Sequence, residues 1–395
     1  MLGGLSKKST YLEQYRKEHG DIIVVDSGDL LNEYEEIKES VKSSVKLKAD
    51  LTAQIYKMIG IDAINVGELD LVLGLDYLKE LEKKYELPFV SANLVNESNE
   101  LVFRPYVIKK IGNKRIGIFG LMGDSTDMAS KLKEITGGKL SALDPVESAE
   151  SMVKELKGKA DFIIAMTHQH IGRNWVIARK VEGIDVIVGG HHTQKLKKPY
   201  QAKNTFMVQA GEKGQYQGML EVILHSDGSR EANNELVPLG PKIPDDPKIK
   251  AMIDNYNEKV TSLYFSPEKK ESEAPLKMVY CEDCHSEQVS IWRASDHARA
   301  FETLAKKYRQ FNPDCLACHT TRFEKPGGFN MTLQQAELRD VQCDSCHGNT
   351  DLHLKDIESM PYKKLDMESC MKCHTSERCP DFEKNFQKIW AKIKH

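Results

Sequence analysis

The chain has 395 residues, of which 40% are hydrophobic and 29% are charged, so it has enough apolar material for two or three ordinary globular domains. Its net charge is −3 and no long block of like charge occurs, which gives no reason to expect a nucleic acid or an anionic membrane as a partner. No stretch approaches the roughly 18 apolar residues that a membrane-spanning helix needs. We therefore expect no nucleic-acid partner and no membrane span.

The N-terminal part of the chain alternates short apolar runs with helical patterns. The predicted strands are 21–26, 63–66, 89–92, 116–120, 162–166 and 186–190, and the predicted helices between them include 43–59, 75–84 and 145–158. Alternation of strands and helices predicts an α/β layered domain.

Polar residues follow several of these strands, at the positions where α/β folds place their sites. They occur in the segments Asp26–Asp29, Gly67–Gly74, Ala92-Asn93, Thr167–His170 and Gly189–Thr193. Their order and spacing, with Gly3-Gly4 before the first helix, resemble the metallophosphoesterase domain of the 5′-nucleotidase family. That family builds a two-metal site in which paired ions clamp the phosphate and activate water.

The resemblance implies roles for several residues of this chain. Asp29 stands for the bridging aspartate, His168 for the lone histidine and His191 for the first histidine of the last motif. Glu68 aligns with the asparagine ligand. A residual single-metal site would therefore consist of Asp29, Glu68, His168 and His191.

Three departures from the family pattern affect catalysis. Leu69 aligns with the histidine that assists the leaving group, and Thr193 replaces the second histidine of the last motif. The D-x-H strand would lie before Gly3 and does not occur in this sequence. Since losing even an outer-shell partner of a metal costs roughly 10–100-fold in affinity or activity, we expect a degenerate scaffold with no dinuclear metal and no phosphatase activity.

Residues 241–276 form the predicted boundary between two domains. A connecting helix is predicted at 248–263, and its preceding aspartates suit the helix dipole. A polar segment bracketed by prolines follows. We expect a metallophosphoesterase-like domain at 1–245, a helical linker at 246–276 and a separate domain at 277–395, which the cysteines described next identify as a cytochrome domain.

All nine cysteines lie between Cys281 and Cys379. Eight of them form four C-x-x-C-H motifs: Cys281-x-x-Cys284-His285, Cys315-x-x-Cys318-His319, Cys343-x-x-Cys346-His347 and Cys370-x-x-Cys373-His374. This pattern is the attachment signature of c-type haem. The two thiols form thioethers with one porphyrin, and the adjacent histidine becomes the proximal ligand of the iron.

Zinc bound by pooled C-x-x-C pairs is the alternative to haem. It explains the cysteine pairs but leaves the histidine after each of them unexplained, a coincidence on the order of one in a million. We therefore predict four haems c. The ninth cysteine, Cys379, is left either as a buried, inert thiol or as an intermolecular link.

Distal ligands of four irons have few candidates within residues 275–395. Besides the motif histidines, this segment contains His297, His353 and His395, and His395 is the last residue, where a chain tends to fray. The remaining ligands would come from the first domain, from a methionine or from a neighbouring molecule, or one position would stay open. Two interpretations stay open for four histidines of the first domain, His168, His170, His191 and His192. They are surface or hydrogen-bonded residues, or one of them is a distal ligand of a haem iron.

The cysteine-rich segment resembles the tetrahaem cytochromes that accept electrons from hydroxylamine oxidoreductase. The matching residues are Trp292, Ser295, His297 and Ala300, then Cys315–Thr321 with Gly327–Phe329, and then Val341–Gly348 with His353. In that family the histidines at the positions of His297 and His353 are distal ligands. One haem of the best-known members of the family has an open position, which fits the shortage of candidate ligands in this chain.

Covalent haem attachment takes place outside the cytoplasmic membrane, so we expect a periplasmic or extracellular protein. Residues 1–8 lack the charged and apolar regions of a signal peptide. The missing signal and the missing D-x-H strand both fit a sequence that starts inside a longer precursor.

Electron transfer through four haems, with other redox proteins as donors and acceptors, is the function that these patterns favour. We expect a mostly helical and irregular multihaem domain behind the α/β domain, and an electron carrier rather than an enzyme. Three alternatives stay open. They are a haem enzyme acting on a small nitrogen or sulfur compound at an open iron, a self-associating subunit of an extracellular cytochrome filament, and an active nucleotide hydrolase with an electron-transfer tail.

Overall fold

The structure, a computed structural model, divides the chain into two compact units. It describes residues 3–37, 39, 41–225, 229–264, 277–307, 309–331, 335–348, 353, 356, 365–376 and 378–395. The N-terminal unit consists of residues 2–38 and 45–250, and the C-terminal unit of residues 1, 39–44 and 251–395.

Helices and strands alternate through the first 264 residues. The helices are α1 (Leu5–His19), α2 (Lys42–Ile59), α3 (Leu75–Tyr85), α4 (Thr126–Thr136), α5 (Pro145–Leu156), α6 (Ile171–Lys180) and α7 (Pro247–Tyr264). The strands are β1 (Val25–Asp26), β2 (Ala63–Asn65), β3 (Phe89–Val90), β4 (Leu94–Asn96), β5 (Tyr106–Ile111), β6 (Lys114–Met122), β7 (Leu140–Ala142), β8 (Phe162–His168), β9 (Val186–Gly190), β10 (Tyr200–Ala202), β11 (Thr205–Val208), β12 (Tyr216–Leu224) and β13 (Arg230–Pro238).

Two sheets with parallel centres organise the N-terminal unit. The larger sheet has the order β10-β11-β9-β8-β6-β5, in which β6, β8, β9 and β11 run parallel and the edge strands run antiparallel. The smaller sheet is parallel, with the order β1-β2-β3. The other strands form the antiparallel pairs β4-β7 and β12-β13.

The core lies on both faces of the larger sheet. On one face Ile118 and Met166 pack in a cluster with Ala63 of the smaller sheet. On the other face Phe119, the next residue along β6, packs in a cluster with Ile177 of α6. Since successive residues of a strand point to opposite faces, this layering needs strands that are apolar throughout. The predicted α/β fold class is confirmed.

The first strand is shorter than the predicted 21–26. The carboxylate of Asp62 accepts a hydrogen bond from the N–H of Val24 at 2.9 Å, and the carbonyl of Val24 accepts one from the N–H of Asp62 at 2.8 Å. This side-chain bond replaces a ladder bond, so the regular strand begins only at Val25.

Helix α5 begins at a cap that can be tested by mutation. The Asp144 carboxylate accepts hydrogen bonds from the N–H groups of Val146 at 2.7 Å and Glu147 at 2.9 Å. We expect Asp144→Ala to lower the free energy of unfolding by about 0.5–2 kcal/mol, because two helix donors lose their partner. Urea denaturation of the N-terminal unit measures the change. Asp144→Asn keeps an acceptor and serves as the control, and equal losses in both variants would contradict this explanation.

The C-terminal unit is mostly short helices joined by irregular segments, as predicted. The helices are α8 (Lys277–Cys284), α9 (Ser286–Ala294), α10 (Ala300–Ala305), α11 (Pro313–His319), α12 (Cys343–His347), α13 (Met367–Met371) and α14 (Phe382–Trp390), with single 3₁₀ turns at Asp296–Arg299 and Ala336–Leu338. Its buried apolar side chains include Val289, Phe301, Leu304, Phe311, Leu316, Phe329, Met331, Leu338 and Phe382.

Each C-x-x-C-H motif forms one helical turn. The N–H of His285 donates to the carbonyl of Cys281 at 2.8 Å, and the N–H of His374 makes the equivalent bond at 3.0 Å. His319 and His347 are the last residues of α11 and α12. Positions i, i+3 and i+4 share one face of a helix. The two thiols and the imidazole of each motif therefore project to the same side.

The chain around His297 is not one continuous helix. Helix α9 ends at Ala294, Ser295 is extended, and His297 lies in the following 3₁₀ turn. The carbonyl of His297 accepts a hydrogen bond from the N–H of Val341 at 3.1 Å, and Trp292 donates its Nε1–H to the carbonyl of Val341 at 2.7 Å. These bonds anchor His297 beside the third motif.

Within the described residues, none of the helices combines the length and the apolar character needed to cross a membrane.

Candidate functional sites

Four strand ends of the N-terminal unit bring potential metal ligands together. Asp29 follows β1, Glu68 follows β2, His168 ends β8 and His191 follows β9. One ligand atom from each of these side chains lies within 4.8 Å of the others. Parallel strands meet at their carboxyl ends, which explains how residues so distant in sequence converge.

Two glycines allow this close approach. A Cβ atom on Gly67 would lie 2.2 Å from Oδ1 of Asp29, and a Cβ atom on Gly28 would lie 2.7 Å from the nitrogen of Gly67. Gly28 also has a φ of +101°, which favours glycine. The two loops are then tied by the N–H of Leu69, which donates to Oδ1 of Asp29 at 2.9 Å.

His168 is oriented as metal-binding histidines usually are. Its Nδ1 is 2.8 Å from the carbonyl oxygen of Ser27, an acceptor that places the ring proton on Nδ1 and leaves Nε2 for a metal. Nε2 lies 3.1 Å from Oδ2 of Asp29, 3.0 Å from Oε2 of Glu68 and 3.2 Å from Nδ1 of His191. All the other potential ligands therefore surround this one nitrogen.

Burial makes the charges of this cluster strong. His168 and Glu68 are 1% and 2% exposed. Burial raises the pKa of Glu68, but the close approach of the His168 and His191 imidazoles outweighs it and holds that pKa below its ordinary value. Burial lowers the pKa of His168, but the carboxylates of Asp29 and Glu68 outweigh it and raise that pKa well above the ordinary value. The two carboxylates thus form an anionic centre that attracts a cation.

The donor set fits one divalent transition-metal ion. Two imidazoles and two carboxylates suit zinc, manganese or iron. Among the described residues, Oε2 of Glu68 is buried without a well-aligned hydrogen bond although it lies 3.0 Å from His168. A bound cation would satisfy this oxygen. Glu68 also supplies a carboxylate oxygen where the family has an amide oxygen, so the exchange keeps an oxygen donor.

Asp70 supports the site from behind, a role that the sequence analysis missed. Its carboxylate accepts hydrogen bonds from the N–H groups of Asp29 at 2.9 Å, Leu31 at 2.9 Å and Gly67 at 3.0 Å. Burial and the charge of Asp29 raise its pKa to about 7. The sequence offered one signal for this role, an aspartate two residues after Glu68 within the same polar segment.

His170 and His192 are not members of the four-residue cluster. Nδ1 of His170 accepts a hydrogen bond from the N–H of Gly172 at 3.1 Å, which caps α6. The rings of His170 and His192 are 5.0 Å apart, and both residues are exposed.

In the C-terminal unit, three motif histidines each face one histidine from outside the motifs. If a metal–imidazole bond is about 2 Å and the nitrogen lies roughly 1.1 Å from the ring centre, two rings that share one ion have centres about 6 Å apart. The ring centres are 6.2 Å apart in His285–His353, 6.0 Å in His297–His374 and 5.7 Å in His347–His395.

The ring nitrogens of this unit are prepared for metal binding. Nδ1 of His395 is 3.0 Å from the carbonyl oxygen of Ile393, and Nδ1 of His319 is 2.8 Å from that of Ala300. Each bond leaves Nε2 free. Burial lowers the pKa of His297 and, with the charges of neighbouring histidines, that of His374. Lower pKa values favour neutral imidazole, the form that binds a metal.

His319 differs from the other motif histidines. Its Nδ1 also lies 3.3 Å from the hydroxyl of Thr303. Among the described residues, no second histidine ring pairs with it, in contrast to the three facing pairs.

The thiols bring the motifs together in two pairs. The thiol of Cys343 hydrogen-bonds that of Cys281 and lowers its pKa to about 7. The thiol of Cys373 does the same for Cys318, whose pKa falls to about 6. The first motif is therefore adjacent to the third, and the second is adjacent to the fourth.

Comparisons with known proteins agree with this division. Residues 1–194 match the calcineurin-like phosphoesterase family, and residues 280–348 match the family of cytochrome c554 and c-prime. The N-terminal part has the calcineurin-like metallophosphoesterase fold, and the more helical C-terminal region contains the cytochrome c554 match.

The relatives named here each match about two thirds of the chain. The trifunctional nucleotide phosphoesterase YfkN of Bacillus subtilis is 25% identical over 66% of this chain and 20% of its own length. Bovine 5′-nucleotidase is 26% identical over 66% of this chain and 48% of its own length. A crystal structure of a 5′-nucleotidase precursor from Thermus thermophilus aligns over 66% of this chain and 54% of its own, with a TM-score of 0.57 and 24% identity. The chain thus spans about half the length of the 5′-nucleotidases that it matches.

The expectation that phosphatase activity is absent was wrong. The chain is similar to phosphoesterases, and Asp29, Glu68, His168 and His191 form a ligand cluster that a metal ion fits. The expectation rested on Leu69, Thr193 and the missing D-x-H strand, but four ligands remain together, and the carboxylate of Glu68 lies against both imidazoles of the cluster.

Proposed function

We propose that this chain is an extracytoplasmic electron-transfer protein that carries four haems c in residues 277–395. A metallophosphoesterase-like domain at 1–245 and a linker at 246–276 precede this segment in the sequence. The observation that carries the proposal is the set of three facing histidine pairs around four C-x-x-C-H motifs. Zinc bound by pooled cysteines would leave these pairs without a purpose.

Haem c supplies one-electron redox chemistry when it is bound. The residues of this chain hold and orient it. The eight motif cysteines form the thioethers, and the motif histidines serve as proximal ligands. His353, His297 and His395 would supply second ligands to the irons held by His285, His374 and His347, whose rings they face. This assignment supplies three distal ligands from the C-terminal unit itself.

The arrangement of the motifs supports a relay. Because the thiols of the first and third motifs are in contact, and likewise those of the second and fourth, the attached haems would be close neighbours. Bis-histidine ligation leaves no free coordination position, which favours electron transfer over substrate chemistry. Redox proteins outside the cytoplasm, other cytochromes and oxidoreductases among them, are the proposed donors and acceptors.

Haem counting and carbon monoxide titration test this proposal. We expect about four haems per chain from the pyridine haemochrome spectrum and from the mass of the mature protein, one for each motif. We also expect the reduced protein to bind about one carbon monoxide per chain, at the haem of His319, because the other three irons carry two histidines. Fewer than four haems, or no carbon monoxide uptake, would contradict the respective parts of the proposal.

A second function, metal-dependent hydrolysis of phosphoesters, is favoured by the cluster in the N-terminal unit. A metal ion held by Asp29, Glu68, His168 and His191 supplies an activated water and neutralises phosphate charge. Glu68 and His168 are buried, so they hold the ion rigidly, whereas His191 is 25% exposed and borders the solvent from which a substrate arrives.

Leu69 determines which esters such a site would hydrolyse best. It aligns with the histidine that assists the leaving group in the 5′-nucleotidase family, and an aliphatic side chain cannot donate a proton. General acid catalysis contributes roughly 10²–10⁴-fold. We therefore expect the chain with added manganese or zinc to release phosphate faster from p-nitrophenyl phosphate, whose leaving group needs no proton, than from AMP. Failure of the metal-loaded chain to hydrolyse either ester would contradict this function.

A further inference from the structure

The ninth cysteine contacts a proximal histidine. Sγ of Cys379 lies 3.5 Å from Nδ1 of His374, the histidine of the fourth motif. Cys379 is half-buried and belongs to none of the C-x-x-C-H motifs. We propose that Cys379 is a positioning residue that sets the reduction potential of the fourth haem by accepting a hydrogen bond from His374. This inference rests on the proposed function, since it requires haem at the fourth motif.

The direction of the hydrogen bond follows from the ligand role of His374. A neutral imidazole that binds iron through Nε2 carries its proton on Nδ1, so Nδ1 can only donate. The sulfur of Cys379 is therefore the acceptor. A hydrogen bond at this nitrogen fixes the orientation of the ring and makes it a more basic ligand. A more basic ligand stabilises ferric iron and lowers the reduction potential.

The backbone and a neighbouring ring hold the sulfur in place. The N–H of Cys379 donates to the carbonyl of Thr375 at 2.8 Å, and the carbonyl of Cys379 accepts from the N–H of Phe382 at 2.9 Å. The ring of Phe382 stacks on that of His374, with centres 4.4 Å apart and an angle of 10° between the planes. The edge of the imidazole that faces Cys379 is thus fixed, while the ring also faces His297.

Two other histidines of this unit, His319 and His395, direct a ring nitrogen at an oxygen acceptor. Nδ1 of His319 meets the carbonyl of Ala300, and Nδ1 of His395 meets that of Ile393. A backbone carbonyl cannot be modified, whereas a thiol can be oxidised or alkylated. The fourth motif would therefore have an acceptor that can be changed chemically, unlike the backbone carbonyl that His319 of the second motif meets.

Substitution of Cys379 in the mature four-haem protein tests the proposal. Spectroelectrochemical titration of Cys379→Ala should show that the midpoint potential of one haem has risen while those of the other three are unchanged. Cys379→Ser keeps an acceptor at the same place and should restore a potential close to that of the wild type. A cysteine with only a packing role would not produce rescue by serine. Four unchanged potentials in Cys379→Ala would overturn the proposal.

A second measurement tests the proposal on the wild-type protein, in case Cys379→Ala does not acquire its haems. Eight cysteines are committed to thioethers under the proposed function, so Cys379 is the one thiol left for alkylation. We expect iodoacetamide to add a single carbamidomethyl group to the folded protein and to raise the same midpoint potential. A chain with four haems and unchanged potentials after alkylation would overturn this inference alone. A chain with fewer than four haems would instead contradict the proposed function.

Discussion

Replacing His395 with alanine is expected to raise the carbon monoxide uptake of the reduced protein from about one to about two molecules per chain, since a second iron loses its distal ligand. The ring of His395 faces that of His347 at 5.7 Å, and its Nδ1 is engaged by the carbonyl of Ile393. Carbon monoxide titration followed in the Soret band gives the stoichiometry. The ferric variant should also gain a high-spin signal.

The control for this prediction is another exposed histidine of this chain. His225 directly follows β12, and its Nε2 lies 3.4 Å from a carboxylate oxygen of Glu231 in β13. Its replacement by alanine should leave the uptake unchanged. If His395→Ala still bound only one carbon monoxide, with four haems present, the assignment of His395 as a distal ligand would be wrong.

The pairing of histidines illustrates what a sequence cannot give. The four C-x-x-C-H motifs can be recognised in the sequence because all the residues of one motif lie within one helical turn. The partner of each motif histidine lies far along the chain, and the pairing depends on how short helices pack. His353 follows the third motif but faces His285 of the first, and His297 follows the first motif but faces His374 of the fourth. His395 was expected to fray because it is the last residue.

The strands of the N-terminal unit could be predicted well for a physical reason. Strands buried on both faces are continuous apolar runs, so β8 and β9 begin at the predicted residues Phe162 and Val186. Strand β1 was predicted too long, because the sequence does not reveal that the side chain of Asp62 replaces part of its ladder.

The residues of the ligand cluster could be located from the strand ends, but the family pattern alone could not show whether they still bind a metal. Counting the side chains that differ from the family pattern suggested that metal binding and catalysis were lost. Geometry shows that a replacement matters through the donor atoms that it offers, and Glu68 offers two oxygens, one in contact with each imidazole. Leu69 does change the chemistry, because a methyl group offers neither a donor nor a proton.

His168→Ala is expected to abolish metal binding at this cluster. Nε2 of His168 is the nitrogen around which Asp29, Glu68 and His191 converge. Loss of an outer-shell partner costs roughly 10–100-fold in affinity, so loss of this ligand should cost at least about 100-fold. Equilibrium dialysis with zinc or manganese, followed by elemental analysis, should find about one ion per chain in the wild type and almost none in the variant. Hydrolysis of p-nitrophenyl phosphate should fall with it.

Two further variants make this result interpretable. His170→Ala changes a histidine two residues away that lies outside the cluster, so it should keep the metal and the hydrolysis. His168→Ala also leaves the carboxylates of Asp29 and Glu68 without the imidazole between them, which destabilises the fold through repulsion. If that variant does not fold, Glu68→Gln keeps the shape of the side chain and removes one charge, and it should bind the metal more weakly. Full metal occupancy in both His168→Ala and Glu68→Gln would show that the ion binds elsewhere.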